Sequence, residues 1–589
     1  MPRSRAGRIA LAAIVAAILY LPGLGHPALW EPDEGRYAEI AREMVISGDL
    51  VTPRNDYIRY FEKPPLVYWA EAGAIRIFGA NEFAVRLPAA LSTVGEVALV
   101  CAIGDAMFGA VAGLLGALAL ALSPLVFAFA RFATLDPALA FFLTAAIGAF
   151  IAASLAPDFG AGAGRRWMWL AAAMLALGTL SKGPVALVLG GAIALAWMLI
   201  EHRACELRRI PFVSCAIIYL AIVLPWFILA EHRNPGFLEF FFIHEHLERF
   251  TSSQEHGWGP WFFIPIVIGG AWPWIFFAPL GWTQISRSRE NALRSRSNLL
   301  VIWFAVIVMF FSIPRSKLGS YILPALPPLA ILAGYGLTRI SEISRERAVA
   351  WMRYFAAVNV CAASAACIVL YFAAHRLPHG LALDGAMIAA AIAAGAIAAY
   401  LLTRTAARAA FAIVPIALAM LLTVGIAERA RGAAASVVSY RELARGIAPY
   451  LGPGCVLASY HHYVQALPFY TGTRELPVQY WGELGEFADP SEERDGFIGT
   501  AARLKEMWSQ SRCFVLIANE KDLPAVLKTL PPDPKPIVIA CEGKKLALFN
   551  GSRSGASPWS DSSPCKGKGS DNRGGISRRG ALGIRAGAL

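Results

Sequence analysis

The sequence has few charged side chains for its length, and this scarcity excludes a single soluble domain. Asp, Glu, Lys and Arg make up 16% of the 589 residues, whereas 57% are hydrophobic and the mean hydropathy is +0.52. One soluble core of this length would not use so much apolar surface. The composition therefore predicts a multi-spanning membrane protein.

Other signals are missing as well. The sequence has no Walker-type or dinucleotide-type glycine loop, which argues against a nucleotide-driven machine. Its nine cysteines form no C-x-x-C pair. Cys455, Cys513 and Cys541 fall in a region expected outside the cytoplasm, where one disulfide is permitted, but their spacing does not select the pair. The net charge of +12 is largely explained by loop arginines and is not evidence for nucleic acid.

Long apolar runs fill the first 430 residues. A bilayer core about 30 Å thick needs roughly 20 apolar residues per helix, and we predict about thirteen such windows. They lie near residues 8–25, 86–106, 109–130, 136–155, 166–180, 183–200, 211–230, 260–282, 298–313, 318–337, 351–374, 385–402 and 409–427.

The distribution of arginine predicts the topology, because Lys and Arg accumulate in short cytoplasmic loops. Arginines cluster at the amino terminus and in alternate loops, so we expect the amino terminus in the cytoplasm and everything after residue 428 outside. A cleavable signal peptide is the alternative for the first apolar run. No small-x-small cleavage site follows it, however, and Trp30 and Pro32 lead straight into a charged loop, which favours a retained helix.

Three regions follow from these patterns. Residues 1–428 form the membrane domain, with outer loops at 26–85 and 231–259. Residues 429–550 carry short β-rich runs between helical stretches, typical of a small soluble α/β domain. The tail, 551–589, is rich in Gly, Ser and Arg and is expected to be disordered.

The first outer loop combines charges and aromatic residues. Pro32 and the acidic Asp33 and Glu34 favour the start of a short helix, on which Glu34 and Ala38 share a face. The alternative without a functional site is an amphipathic helix lying at the membrane surface. It does not explain Lys63, which precedes two prolines that stop a helix.

Each further outer loop carries an unusual residue. Asp136 stands before a proline, where it could simply cap a helix, and Lys182 lies in a tight turn, where it could simply snorkel. His244 and His246 suggest a metal site with a carboxylate, although positions i and i+2 do not share one helical face.

Cations on the outer side run against the usual bias, and they point to an anionic ligand. Arg and Lys bind phosphate through charge-assisted hydrogen bonds, and a phosphate on a lipid would arrive at this depth. Asp33 and Asp136 would then remain for acid, base or metal chemistry. The outer cations are Arg36, Arg59, Lys63, Arg131, Lys182, Arg249, Arg315 and Lys317.

Six motifs occur in order between residues 31 and 328. They read EPDEGRYAEIAREM, FEKPPLVYW, RFATLDP, SKGP, FFIHEHLERF and SKLGSYILPALPP. This set resembles the lipid A aminoarabinose transferases, the ArnT family. More broadly it is similar to the membrane glycosyltransferases of GT-C type, which include the protein O-mannosyltransferases. The resemblance covers about residues 1–430, and the outer α/β domain also fits the family's architecture.

The resemblance implies a GT-C fold and a reaction at the periplasmic face of the bacterial inner membrane. A 4-amino-4-deoxy-L-arabinose would move from undecaprenyl phosphate to a phosphate of lipid A, a change in lipopolysaccharide that gives resistance to polymyxin and other cationic peptides. It implies no required cofactor, or at most a divalent metal such as zinc. It also implies a membrane-embedded monomer without a nucleic-acid partner.

The resemblance also implies residue roles. Asp33 and Asp136 match the catalytic carboxylates, and Lys63, Arg249 and Tyr321 match residues that bind the donor phosphate. Glu62 and His244 match a metal pair. The other cavity residues are Glu34, Arg36, Tyr37, Arg59, Tyr60, Lys182 and Lys317.

Chemistry refines these roles. A phosphate acceptor is already anionic and needs little general-base help, so Asp33 is expected to orient the acceptor or stabilise positive charge at the sugar. Lys63 and Arg249 would stabilise the departing lipid phosphate.

Two other hypotheses remain open on the sequence. One is the same chemistry with another sugar or acceptor, such as a hexose moved to protein. Glu31, Glu34 and Glu62 favour a cationic amino sugar over that alternative. The other is a lipid or solute transporter, against which stands the lack of paired, broken short helices in the two halves.

Overall fold

The computed structural model describes residues 4–156, 159, 161–248, 258–340, 342–374, 377, 380–404 and 412–551. Within these residues the chain is mostly helical, with one small sheet near the carboxyl end. The predicted tail from residue 552 onward lies outside the described residues, as does Arg249.

Among the described residues up to 233, the chain forms ten α-helices. They are α1 (Arg5–Tyr20), α2 (Asp33–Ser47), α3 (Leu66–Phe78), α4 (Glu82–Phe108), α5 (Ala110–Ala121), α6 (Pro124–Ala130), α7 (Asp136–Leu155), α8 (Gly162–Lys182), α9 (Val185–Ile200) and α10 (Phe212–Arg233). Further helices of the membrane domain span Phe237–Glu239, Phe263–Gly270, Phe277–Ser286, Asn291–Ser312, Leu326–Arg339, Arg345–Ala373, Leu381–Thr403 and Ile413–Val438.

Eight of the described helices are long and apolar enough to cross a bilayer, and two bent pairs raise the number to ten. The bent pairs are α5 with α6, at 64°, and the helices between Pro260 and Ser286, at 101°. Helices α1, α8 and α9 occupy the remaining three predicted windows. The chain is therefore a multi-pass membrane protein, while the number thirteen stays a prediction.

Helix α2 is packed inside the protein, not laid on the membrane surface. It begins after Pro32 and ends where Gly48 adopts a left-handed φ of 71°. Eleven of its fifteen residues are buried, including three glutamates and two arginines. The interfacial alternative for this segment is therefore wrong, because a surface helix would keep one polar face in water.

The soluble domain has the predicted α/β character. Strands β1 (Arg54–Asn55) and β2 (Ile58–Arg59) form a small hairpin in the first outer loop. The soluble sheet contains β3 (Val456–Tyr460), β4 (Glu475–Val478), β5 (Phe514–Asn519), β6 (Ile537–Glu542) and β7 (Lys545–Phe549), in the order β4-β3-β5-β7-β6. Strand β3 runs parallel to β4 and β5, while β7 is antiparallel to both of its neighbours.

Helices cover this sheet, and a disulfide closes one end of it. The helices span Arg441–Ile447, Leu467–Thr471, Pro490–Gly496, Ala501–Gln510 and Leu523–Thr529. Cys455 and Cys513, just before β3 and β5, form a disulfide. The last membrane helix continues to Val438, so the helical domain extends about ten residues past the predicted boundary at 428.

The two domains meet at the first outer loop. The Glu31 carboxylate accepts hydrogen bonds from the backbone N–H groups of Gln465 and Ala466, at 2.9 and 2.7 Å. Arg59 donates to Asp489 and Glu492 at 2.9 and 3.0 Å. The soluble domain is therefore held directly above α2, the helix that begins with Asp33.

Candidate active site

Asp33 and Asp136 lie within electrostatic reach of each other, although 103 positions separate them in the sequence. Asp33 is the first residue of α2 and Asp136 the first of α7. Burial raises the pKa of Asp33, and the charge of Asp136 adds to this rise. Arg36 and Lys182 act in the opposite direction. The fold thus brings two carboxylates and two cations together, with Asp33, Asp136 and Arg36 in the first turns of α2 and α7 and Lys182 at the end of α8.

Lys182 connects three segments of this site. It is the last residue of α8, and its ammonium group forms an ion pair with the Asp136 carboxylate. The same nitrogen lies 4.1 Å from the centroid of the Tyr321 ring, a favourable cation–π distance. A snorkelling lysine would direct its charge into water, whereas this one is directed at a buried acid. A helix cap at Asp136 and a snorkelling side chain at Lys182 are therefore incomplete descriptions of these two residues.

Arg36 lies one turn after Asp33, and its guanidinium is surrounded by aromatic and acidic groups. Its Nη1 is 3.6 Å from the Asp33 carboxylate, and its Nη2 is 2.6 Å from Glu483 of the soluble domain. The Tyr37 and Tyr60 rings flank it at about 6 Å. Burial keeps the pKa of the Tyr60 phenol well above its usual range, so its hydroxyl stays protonated and can donate to an anion.

Lys63 lies in a second, more acidic group. Its Nζ is 3.1 Å from Oε2 of Glu245 and 3.8 Å from Oε2 of Glu62. Glu62, Glu245 and Glu486 each place a carboxylate oxygen within 4.8 Å of the others. The charge of Glu62 also raises the pKa of Asp33, so this group adjoins the first one.

The predicted metal pair, Glu62 and His244, stays a prediction, and His244 lies within electrostatic reach of Glu486 and Glu245. His244 is exposed, and its Nδ1 lies 2.6 Å from Glu248, which raises the pKa of the imidazole. Among the described residues, the three grouped acids are carboxylates only, with Lys63 beside them. Such a set suits a hard cation such as Mg²⁺ or Ca²⁺, whereas zinc prefers His and Cys ligands.

Three other predicted cavity residues pair with groups outside the cluster of Asp33, Asp136 and Lys182. Glu34 is fully buried against Arg86, so it does not line the cavity. Arg59 pairs with Asp489 and Glu492 at the domain contact.

Lys317 is the third of these residues, and it is 2% exposed. Its ammonium group donates to the backbone carbonyls of Trp258 and Pro314, so it stabilises a loop. Arg131 likewise pairs with Glu428 and donates to the carbonyl of Tyr20. The placement of Arg249 lies outside the described residues.

Sequence reasoning missed several residues of the site. Glu245 is adjacent to the chosen His244 in the same motif, but the segment is a π-helix, so ordinary helical spacing did not identify the side chain that faces Lys63. Glu483 and Glu486 belong to the soluble domain, more than 400 residues after Asp33. No local signal in the sequence links them to the site.

Comparisons with known proteins find related membrane glycosyltransferases. A family profile for dolichyl-phosphate-mannose-protein mannosyltransferases matches residues 7–241. An undecaprenyl phosphate-α-4-amino-4-deoxy-L-arabinose arabinosyl transferase of Pseudomonas fluorescens is 33% identical over 350 residues. That alignment covers 56% of this chain and 60% of the relative.

Solved structures extend the match to the whole fold. The crystal structure of ArnT from Cupriavidus metallidurans bound to undecaprenyl phosphate superimposes with a TM-score of 0.83 and 30% identity, covering 94% of this chain and 100% of that one. An oligosaccharyltransferase from Archaeoglobus fulgidus shares the fold alone, with a TM-score of 0.53 and 14% identity. The chain therefore belongs to the ArnT family of GT-C type membrane glycosyltransferases.

Proposed function

We propose that this protein transfers 4-amino-4-deoxy-L-arabinose from undecaprenyl phosphate to a phosphate group of lipid A. The observation that carries the proposal is the meeting of Asp33, Asp136 and Lys182 beneath the soluble domain. Family membership supplies the reaction class. No comparison favours a transporter, or a hexose moved to protein, over this assignment.

The carboxylates would act on the sugar. As the bond from the sugar to the lipid phosphate breaks, positive charge develops at the sugar, and a nearby carboxylate stabilises it. Asp33 is 36% exposed at its side chain, whereas Asp136 is 7% exposed and already paired with Lys182. Asp33 is therefore the group that reaches the sugar or the acceptor, and Asp136 fixes Lys182.

The cations would hold the phosphates. Lys63 and Arg249 would neutralise the departing lipid phosphate, and the protonated Tyr60 would donate a hydrogen bond to an anion. No nucleotide is needed, since the donor phosphodiester is already an activated leaving group.

The acidic group supports an amino sugar over a neutral one. Of the three glutamates that suggested this from the sequence, Glu31 contacts the soluble domain and Glu34 is buried against Arg86. Glu62 alone stays at the site, where Glu245 and Glu486 join it. Together they carry more negative charge than Lys63 balances, which favours a positively charged substrate group.

The proposal includes location and partners. The amino terminus would lie in the cytoplasm of a Gram-negative bacterium, and the soluble domain in the periplasm, with the protein acting as a monomer in the inner membrane. Arginine placement supports this orientation. The partners would be membrane lipids, namely the undecaprenyl-linked donor and lipid A.

No metal is proposed as a requirement. The three carboxylates could hold a hard cation, but the adjacent Lys63 already supplies a positive charge to them. Transfer by the purified protein is expected to proceed unchanged in EDTA. A loss of activity in EDTA that Mg²⁺ restores would show that a metal is needed.

A host that makes the donor lipid but lacks its own transferase provides the test. Its lipid A is weighed by mass spectrometry after complementation with wild type or with Asp33→Asn. We expect an aminopentose increment with wild type only. Unchanged lipid A with wild type, in a host where the donor lipid is detected, would contradict the proposed substrate pair.

A further inference from the structure

Arg86 on α4 has every one of its five N–H groups in a hydrogen bond, although its side chain is fully buried. Its Nε and one Nη2 hydrogen bind the Glu34 carboxylate, both at 2.7 Å. The other three bind the backbone carbonyls of Leu24, Pro27 and Ala28 at 2.6 to 3.0 Å. An arginine has five donors in a rigid fork, so this arrangement fixes the orientation of the carboxylate and the three carbonyl groups that it contacts.

Glu34 is equally saturated. Each of its carboxylate oxygens accepts one hydrogen bond from Arg86 and one from a backbone N–H group, at Ala133 for Oε1 and at Trp30 for Oε2, both at 2.9 Å. Four acceptor contacts fill the capacity of a carboxylate. The pair therefore makes no contact with water or substrate, and it joins four separate chain segments.

Those segments are the ones that carry the two carboxylates of the site. Asp33 directly precedes Glu34, and Asp136 follows Ala133 by three residues. The charges of Asp33 and Asp136 repel each other, so the two segments need a device that holds them together. The bidentate pair supplies it, since one carboxylate is bonded at the same time to α4, to the loop before α2 and to the loop before α7.

We propose that the Glu34–Arg86 pair is a positioning unit that sets the separation of Asp33 and Asp136 without touching the substrate. The inference rests on the proposed function for its catalytic consequence. General stabilisation explains the pair less well, because apolar replacements of buried ion pairs are often as stable as the pair itself. An apolar pair of side chains would not constrain the directions of the two active-site loops.

A matched control lies at the other end of α4. Arg8 on α1 and Asp105 on α4 form an ion pair at 2.6 Å, with side chains 12% and 9% exposed. Asp105 is nineteen residues from Arg86, roughly 28 Å along the helix. Asp105→Asn therefore weakens the helix contact without disturbing the two loops.

The test compares Glu34→Gln with Asp105→Asn, measuring kcat and the donor KM per folded protein. Glu34→Gln presents an amide N–H to donors and is expected to lower kcat at least tenfold, with the donor KM changed less than threefold. Asp105→Asn is expected to keep kcat within twofold of wild type. Equal kcat values for the two variants would overturn the inference.

A second pair of variants tests the inference if Glu34→Gln does not fold. Arg86→Lys keeps the positive charge and at most three of the five hydrogen-bond donors, so it is expected to retain a higher kcat than Arg86→Met. Equal kcat values for these two variants overturn the inference.

Hydrogen exchange tests the inference even if the wild type does not transfer this sugar, because it needs no activity. Glu34→Gln is expected to speed exchange at residues 30–37 and 131–136, and Asp105→Asn is not. Unchanged exchange there overturns the inference, whereas an inactive wild type overturns only the proposed function.

Discussion

The guanidinium of Arg36 lies 2.6 Å from the Glu483 carboxylate, and this contact joins the membrane domain to the soluble domain beside Asp33. Arg36 is one turn after Asp33 on α2 and is also 3.6 Å from its carboxylate. The soluble domain is therefore part of the wall of the candidate site. It does more than cover the membrane domain.

Removing the charge of Glu483 should affect the reaction more than the fold. Glu483→Gln leaves Arg36 with fewer acidic partners, so the guanidinium is expected to move closer to Asp33 and neutralise it. A partly exposed pair of this kind contributes about 1 kcal/mol. We expect a transfer rate reduced by roughly fivefold, as measured in detergent or nanodiscs.

Glu493, an exposed glutamate of the same domain, provides the control for that variant. Glu493→Gln is expected to transfer at the wild-type rate. If both variants behaved like wild type, the Arg36–Glu483 contact would have no part in the reaction.

Lys182 is expected to matter through Asp136. Lys182→Met leaves a buried carboxylate without its cation, which costs about 3–5 kcal/mol when the partner stays charged. The transfer rate should fall at least tenfold, and the unfolding temperature should fall with it. Lys182→Arg keeps the charge and should lose less of both.

A double-mutant cycle isolates the interaction free energy between Asp136 and Lys182. Asp136→Asn with Lys182→Met should be no less stable than Lys182→Met alone, because the neutral amide no longer needs a cation. Additive losses of stability would show that the two side chains act independently.

Buried acids at the domain contact make stability depend on pH. Burial raises the pKa of Glu475 to about 8 and that of Glu31 to about 7, from an ordinary value near 4.5. At pH values above about 5, these two carboxyl groups keep their protons in the folded protein, whereas the unfolded chain releases them. The free energy of unfolding should therefore fall as the pH rises from about 5 to about 8.

Thermal unfolding of the full chain at several pH values checks this dependence. Glu475→Gln should flatten the slope, since an amide does not titrate. Glu506→Gln, at an exposed position of the same domain, should leave the wild-type slope unchanged. A wild-type protein that became more stable over this range would contradict the assignment.

The disulfide should stabilise the soluble domain but not drive the reaction. Cys455 and Cys513 are 58 residues apart, and closing a loop of this size contributes about 2–4 kcal/mol. Cys455→Ser should make the soluble domain of the full chain easier to cleave by protease, with the transfer rate unchanged at low temperature. Cys361→Ser, an exposed cysteine of a membrane helix, should change neither property.

The sequence predicted the broad architecture because hydrophobic length and charge placement are local properties. The sequence predicts β-rich runs at 455–460, 476–480, 513–518, 536–540 and 545–550, and each coincides with a strand to within two residues. The start of α2 after Pro32 was equally readable, since a proline and two acids favour a helix amino terminus.

Pairings between distant residues were not readable. Asp33 and Glu34 are adjacent acids on one helix, and only the fold shows that Glu34 faces Arg86, 52 residues away, while Asp33 faces the site. Arg59 resembles a phosphate ligand until Asp489 and Glu492 are placed beside it. The role of such a residue depends on its partners, which one sequence does not reveal.

The most direct test of the central claim follows both products of one reaction. Purified protein in nanodiscs receives undecaprenyl phosphate-linked aminoarabinose and lipid A, and mass spectrometry counts undecaprenyl phosphate released and aminopentose gained. We predict equal amounts with wild type and neither product with Asp33→Asn. Wild-type protein that gave no aminopentose on lipid A, or Asp33→Asn that matched its rate, would contradict the account.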